Sequence, residues 1–509
     1  MKFSLYVIVI LLLSSVVRFV GLGWTGQVVF DEVHFGKFIS SYCCTHQRFF
    51  DIHPPIGKLL IAGGVSLAGY DGGFSFDHIG QAYDDVPIAG MRIVPALAGA
   101  ILPLIIMLLL RQAGVSKLFS FLGGCAVALD NALIVESRFI VTDSILLLAT
   151  FGSIAAAIGC VQSKRPFYSW MLVILAGVLA GVAVGTKFTG LVGGGLSGLV
   201  LFVQLFRSGY KESGVWAVKL LVLSGVAIGI YLVGWMLHFS LLNLPGSGDV
   251  LGIPTGSFWN DLVRTHQQML SANYNLTASH PYGSPAWSWP LMKRSVFYWQ
   301  GGANQFIYLL GNPAVWWGGA VIGVTAIISF LCGLGTKQRF NIAGIALLFV
   351  LGYVLSYGPL LRVPRVLFLY HYMTPLLFSL LFAVWWVDWA YRSGRAQYVV
   401  SGLSLATVLL PIPDWWFQFI PAWIPSLATD SSQPVRILWY IILIIGVFLI
   451  LNMLVLKTPL KDVLLSREFG VTVLCISTIL GFLIIAPLTY GTTVPKEWGT
   501  ILFRSTSWR

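Results

Sequence analysis

The sequence predicts an all-α, polytopic membrane protein, and three observations predict it. Hydrophobic residues fill 57% of the 509 positions and charged residues only 10%. Mean hydropathy is +0.84, well outside the range of soluble globular domains. Apolar stretches recur from Leu5 to about Ile485, each long enough to cross a bilayer at roughly 20 residues, so about 11–13 transmembrane helices are expected. Short polar turns separate them, together with two long loops, residues 24–88 and 245–308.

The first apolar run, residues 3–22, follows Lys2 like a secretory leader. No small-residue cleavage pattern precedes Trp24, so an uncleaved first span is expected. Basic residues then set the orientation. With Lys2 inside, alternate loops collect Arg111 and Lys117, Lys164 and Arg165, Arg207 and Lys211, Lys337 and Arg339, Arg392 and Arg395, and Lys457, Lys461 and Arg467. This is the positive-inside pattern. It accounts for most of the net charge of +12 and leaves no reason to invoke nucleic acid. Both long loops, and shorter turns near 131–138, 185–189, 358–366 and 412–435, then face away from the cytoplasm.

The loop of residues 24–88 carries seven of the 19 acidic residues against three basic ones. Asp71, Asp77, Asp84 and Asp85 lie among glycines and turn residues and read as a solvated loop. Asp31 and Glu32 are different, because they follow a span end in the apolar run Val29-Phe30-Asp31-Glu32-Val33-His34-Phe35. A carboxylate there is costly unless it has a task. Asp51 opens a second cluster, Asp51-Ile52-His53-Pro54-Pro55-Ile56-Gly57-Lys58. Its prolines stiffen the turn and its glycine admits a close approach, which would fix Asp51 and His53. For His53, bracing the loop and binding a ligand are both open.

A cationic group is expected on the same side, where positive-inside counting predicts few cations: Arg92, Arg138, Lys187, Arg362 and Arg365, the last two shortly before Tyr370-His371-Tyr372. Two readings are open. They could snorkel or pair with Glu136 and Asp143, or they could surround an anionic lipid headgroup, since Arg and Lys are the usual phosphate binders. The second long loop, from Ser279 to Trp317, is crowded with proline and aromatic residues, serving either as interface anchors or as a platform over a site. Asn275-Leu276-Thr277 matches a glycosylation acceptor. Cys43-Cys44 is a vicinal pair that could bridge only with strain. Motifs of metal hydrolases, ABC-type motors and serine hydrolases are missing from the sequence, and no metal site is predicted.

Eight runs, taken in order, resemble the protein O-mannosyltransferase family: Phe30–Lys37, His53–Lys58, Met91–Ala100, Ser137–Ser144, the turn at Lys187, His280–Arg294, Gly311–Trp317 and Tyr370-His371-Tyr372. The second long loop holds only about 60 residues, too few for the β-trefoil MIR domain of eukaryotic members, so the resemblance is to a prokaryotic-type member. It implies a GT-C glycosyltransferase fold, with a catalytic transmembrane domain at 1–390 and further transmembrane helices at 391–509.

The implied reaction takes mannose from polyprenyl-phosphate-mannose, with inversion, to Ser or Thr hydroxyls of secreted or membrane proteins at the extracytoplasmic face of a multi-pass protein of a prokaryotic cell membrane. No cofactor is implied. Asp31 matches the family's DE motif and would be the general base. Glu32 and Asp51 would position the reactants and adjust the pKa of Asp31. Arg92, Arg138 and Lys187 would stabilise the departing lipid phosphate, and His53, Arg362, Arg365, His371 and Tyr372 would add substrate contacts. Two other functions compete with this one: transfer of a sugar to a lipid or glycan acceptor by a related GT-C enzyme, and transport. The transporter reading lacks the internal repeats typical of that class.

Overall fold

The structure, a computed structural model, describes residues 3–275, 279–302, 304–331, 344–363, 365–400, 457 and 461–494. The expected loop with Lys337 and Arg339, the turn at 412–435 and the spans within 401–456 lie outside the described residues, as do Cys332 and part of Asn275-Leu276-Thr277.

The architecture is a helical bundle: α1 (Phe3–Phe19), α4 (Ile88–Gln112), α5 (Lys117–Ala128), α6 (Asn131–Arg138), α7 (Asp143–Gln162), α8 (Pro166–Thr186), α9 (Leu191–Arg207), α10 (Tyr210–Leu241), α12 (Pro313–Leu331), α13 (Gly344–Tyr357), α14 (Met373–Arg392) and α15 (Arg467–Tyr490). On one face, the loop face, lie α2 (Glu32–Ser40), α3 (Ile56–Leu67), α11 (Phe258–Asn275) and four short strands. Among the described residues eight helices are long and apolar enough to cross a membrane, or nine if α5 and α6 form one bent span. The expectation of about 11–13 spans also counted α1 and α12, whose apolar runs are shorter, and C-terminal segments that are not described. The core centres on α7, which is apolar around its whole circumference and 83% buried over its span. By contrast α10 and α15, 17% buried, present apolar residues outward, as helices at a lipid boundary do.

The turn expected at 131–138 is a helix. The polar pair Asp130-Asn131 marks the break before it, where the chain bends by 54°. Asp130 caps α6, accepting from the Leu133 amide at 3.0 Å, and its other oxygen accepts from the Asn312 amide and the Trp316 indole. Asn312 in turn donates to Leu129 O across the break. The Gly311–Trp317 run is thus a splint for the bend, with Gly311 obligatory because a Cβ would stand 1.8 Å from Trp316 Nε1. The bend carries Glu136 to the loop face.

The two long loops are tied together. β1 (Gln47–Phe49) pairs in parallel with β2 (Leu244–Gly248), and β3 (Val296–Gln300) forms an antiparallel hairpin with β4 (Phe306–Leu309). The Phe30 amide donates to Tyr298 O at 3.0 Å. Cys43 and Cys44 are joined by a disulfide in the wide helical turn Ser41–Thr45 that ends α2. Asp71, Asp77, Asp84 and Asp85 are exposed, as expected.

Candidate active site

A cavity of about 300 Å³ opens on the loop face. The first long loop supplies one wall, α6, α7 and the α8–α9 turn supply the floor, and residues 365–371 close the other side.

Asp31 enters the cavity because of its neighbour. Phe30 has φ +48°, a left-handed conformation that costs a bulky residue on the order of 1–3 kcal/mol. Tyr298 holds it there, accepting the Phe30 amide and stacking on its ring at 4.0 Å. The chain then turns directly into α2 with Asp31 at its cap. An aspartate in that position ordinarily accepts from the first turn, but the Asp31 carboxylate makes no such bond, and no other side-chain hydrogen bond or ion pair engages it among the described residues. Burial pushes its carboxyl up to about 7, with Lys187 acting to lower it and Asp143 and Asp51 to raise it.

Glu32 points the other way, since consecutive helical residues lie about 100° apart. It is fully buried and accepts five hydrogen bonds, from Val29 N, Tyr83 Oη, Arg92 Nε, Arg92 Nη2 and Ile140 N. It does not line the cavity. Glu32, expected to position the reactants, is placed as an anchor beneath Asp31.

Asp51 and His53 do line the cavity. The anchor of this corner is Lys58, at 2% exposure, which pairs with Asp51 and donates to His53 O at 2.9 Å and Pro54 O at 3.2 Å. Burial acts to raise the Asp51 carboxyl, but the Lys58 ammonium outweighs it with help from His53 and holds Asp51 below the usual range. Burial pushes the His53 ring down to about 3. Gly57 admits protein and not a ligand: a Cβ there would stand 2.7 Å from Thr186 and 3.0 Å from Thr142. That approach packs α3 against the two residues preceding Lys187 and Asp143.

Of the cations, Lys187 lines the cavity, its Nζ donating to both Asp143 oxygens at 2.8 and 2.7 Å. Arg365 lines it too, without an ion pair or hydrogen bond among the described residues. Arg92 and Arg138, expected around a phosphate, do not line the cavity. Arg92 is fully buried, its donors taken by Glu32 and by Leu22 O, Trp24 O and Gln27 O. Arg138 donates to Arg18 O, Val20 O and Gly21 O, the open carbonyl end of α1, and stacks on Tyr490. Arg18 does the same for α5 through Val127 O and Ala128 O. Free helix-terminal carbonyls need such donors, and Arg138 and Arg18 supply them, while Arg92 serves carbonyls of the loop that follows α1. Of the expected pairings with Glu136 and Asp143, Lys187 makes the one with Asp143 and Arg138 makes neither. Arg362 is exposed and off the cavity, and Tyr372 is buried against Trp289 and Trp316, its hydroxyl 3.3 Å from that of Tyr353.

His371 reaches the cavity between Tyr370, stacked at 4.6 Å, and Trp289, parallel at 6.1 Å, with Nδ1 against the Phe368 backbone. Among the described residues none of the aromatic loop lines the cavity; Trp289 stands behind His371, and Trp289, Tyr298 and Trp316 are core residues. Sequence reasoning did not assign Glu136, Asp143, His34, Lys58, Tyr298 or Tyr370 to the site. Glu136 accepts from the Tyr298 hydroxyl and lines the cavity floor. Its signal was a carboxylate inside an apolar segment, read only as a partner for the cations. Among the described residues no group of three or more His, Cys, Asp or Glu could hold a metal ion.

Residues 8–243 match the family described as dolichyl-phosphate-mannose-protein mannosyltransferase, and residues 258–508 match the C-terminal four-transmembrane region of protein O-mannosyltransferase. Similar proteins include protein O-mannosyltransferase 1 of Drosophila melanogaster, 35% identical over 303 residues that make up 56% of this chain and 34% of that protein. Another is dolichyl-phosphate-mannose–protein mannosyltransferase 4 of Schizosaccharomyces pombe, 33% identical over 267 residues, 49% of this chain and 33% of that one. The chain spans about a third of the length of these relatives.

In fold it is similar to the S. cerevisiae protein O-mannosyltransferase Pmt1-Pmt2 complex bound to the sugar donor, with a TM-score of 0.77 at 18% identity over 100% of this chain and 93% of that one. It is also similar to ArnT from Cupriavidus metallidurans bound to undecaprenyl phosphate, with a TM-score of 0.50 at 17% identity over 96% of this chain and 77% of that one. The bundle is thus of the GT-C glycosyltransferase type. With two matches of one family running almost from end to end over such a bundle, the chain belongs to the protein O-mannosyltransferase family.

Proposed function

We propose that this protein transfers mannose from polyprenyl-phosphate-mannose to Ser or Thr hydroxyls of secreted or membrane proteins, at the extracytoplasmic face of a prokaryotic cell membrane. The acceptor oxygen attacks the anomeric carbon and its proton passes to Asp31. The bond from that carbon to the phosphate oxygen breaks with its electron pair on the phosphate, inverting the anomeric centre. Lys187 and Arg365 take the role first assigned to Arg92, Arg138 and Lys187, meeting the charge that grows on the phosphate. Neutral His53 offers hydrogen bonds there without adding charge, and His371 adds a ring nitrogen. Asp51, kept anionic by Lys58, adds to the rise that burial gives Asp31. This reading requires no cofactor.

One observation carries the reading: a carboxylate raised to about 7 shares one cavity with a guanidinium, and among the described residues neither has a hydrogen-bond or ion-pair partner. A base poised near the working pH is what hydroxyl activation needs. The test is to incubate purified protein with polyprenyl-phosphate-mannose and a Ser/Thr-containing peptide and follow the peptide by mass. A gain of one hexose supports the reading. A hexose found only on extracted lipid supports the lipid-acceptor alternative instead.

A further inference from the structure

We infer that His34 is an acceptor-binding residue, its imidazole contacting the acceptor polypeptide's main chain beside the reacting hydroxyl; this rests on the mannosyl transfer proposed above. His34 lies three residues beyond Asp31 on α2, so the two side chains share a face about one turn apart. Both line the cavity, but Asp31 is partly covered whereas His34 is exposed, which puts His34 at the mouth.

Its ring is free in a way most others are not. His238 is tied to the Tyr42 hydroxyl at 2.7 Å, His266 to that of Tyr231 at 2.6 Å, and His46 and His371 to backbone oxygens. The His34 ring has no hydrogen-bond or ion-pair partner among the described residues. A neutral imidazole carries one donor and one acceptor, the complement of a peptide group.

Charge assigns the mouth to the acceptor. The charged groups acting on His34 are Lys37 and Asp51, whereas Asp51, Lys187, Lys58 and Arg365 act on His53 and Lys187 acts on Asp31. An anionic lipid phosphate is drawn to Lys187 and Arg365, deeper in the cavity, leaving the mouth beside His34 for the acceptor chain. A cavity of about 300 Å³ has room for a sugar and the reacting side chain, so a folded or extended acceptor keeps its backbone at the rim. At roughly 3.3 Å per residue in an extended chain, a group one helical turn from Asp31 meets the backbone of the reacting residue or its neighbour.

The test is steady-state kinetics of the purified full chain with the lipid donor and Ser/Thr peptides, varying each substrate in turn. His34→Ala should raise the peptide KM about 3- to 10-fold more than the lipid KM, the size of one hydrogen bond between neutral groups. His34→Gln, which keeps a donor and an acceptor, should recover most of that difference. Because the contact is to the backbone, the effect should be alike for peptides that differ in the residues flanking the Ser or Thr. Equal rises in both KM values, no rise in the peptide KM, or an effect confined to one flanking sequence would overturn the inference alone. Failure of the wild-type protein to modify any peptide would overturn the mannosyl transfer reading together with it.

Discussion

The layer beneath the cavity and the cavity itself are built from the same residue types, and they differ in saturation. Below, Glu32 accepts five hydrogen bonds, Arg92 spends its donors on Glu32 and three carbonyls, and Arg138 closes the end of α1. Above, Asp31 and Arg365 make none among the described residues, and Lys187 keeps one partner, Asp143. A satisfied buried charge holds backbone in place, and an unsatisfied one is kept only where a ligand completes it. Charge in a membrane bundle therefore divides into framework and reagent by its partners and not by its depth.

The largest effect should come from Asp31→Asn. Losing the general base costs about 10²- to 10⁴-fold in turnover, while yield and melting temperature in detergent stay near wild type because no bond is broken; near-normal turnover would remove Asp31 from the role. Glu32→Gln, one residue away, should do the converse. Breaking a buried ion pair costs about 3–5 kcal/mol, visible as a lower melting temperature and yield, and a stable but inactive protein would show that Glu32 takes part in the chemistry.

The cations sharpen the contrast further. Arg365→Gln should lower catalytic efficiency for the lipid donor about 10- to 200-fold, the range for a hydrogen bond to a charged group, whereas Arg92→Gln should lower stability first; the reverse assignment would restore Arg92 to the phosphate. The smallest effect is that of pH. Asp31 must be ionised to act, so activity should rise through its pKa of about 7 and level off above it, about tenfold between pH 6 and 8 for a single titrating base. A profile flat over that interval would show that another group is the base.

Asp31 was legible in the sequence because a carboxylate between aromatic residues at a span end has few bland explanations. Arg92 and Arg138 looked equally functional, since nothing in a linear pattern says that Leu22, Trp24 and Gln27 will turn their carbonyls toward one arginine. Residues 136 and 138, two apart on a helix, face different sides, so Glu136 could reach the cavity floor while Arg138 turned away to α1. Lys58 stood in a quoted motif, but its bond to Asp51 depends on the path of the Pro54-Pro55 turn. The α5–α6 break was written as Asp130, a helix-capping residue, and reads in the sequence as a turn near 131–138; the helix that resumes at Asn131 for only two turns is too short for a hydropathy reading to show.

Phe30 owes its left-handed torsion to Tyr298, and Tyr298 lies well past the middle of the chain. A ribosome adding roughly 5–20 residues per second needs on the order of ten to fifty seconds to travel from one to the other. Through that interval the newly made α2 has no partner to hold its cap, and Asp31 has no fixed aim. Maturation of the site is thus timed by the arrival of the second long loop, so a chain truncated before Tyr298 would insert its first spans and still lack an aimed base.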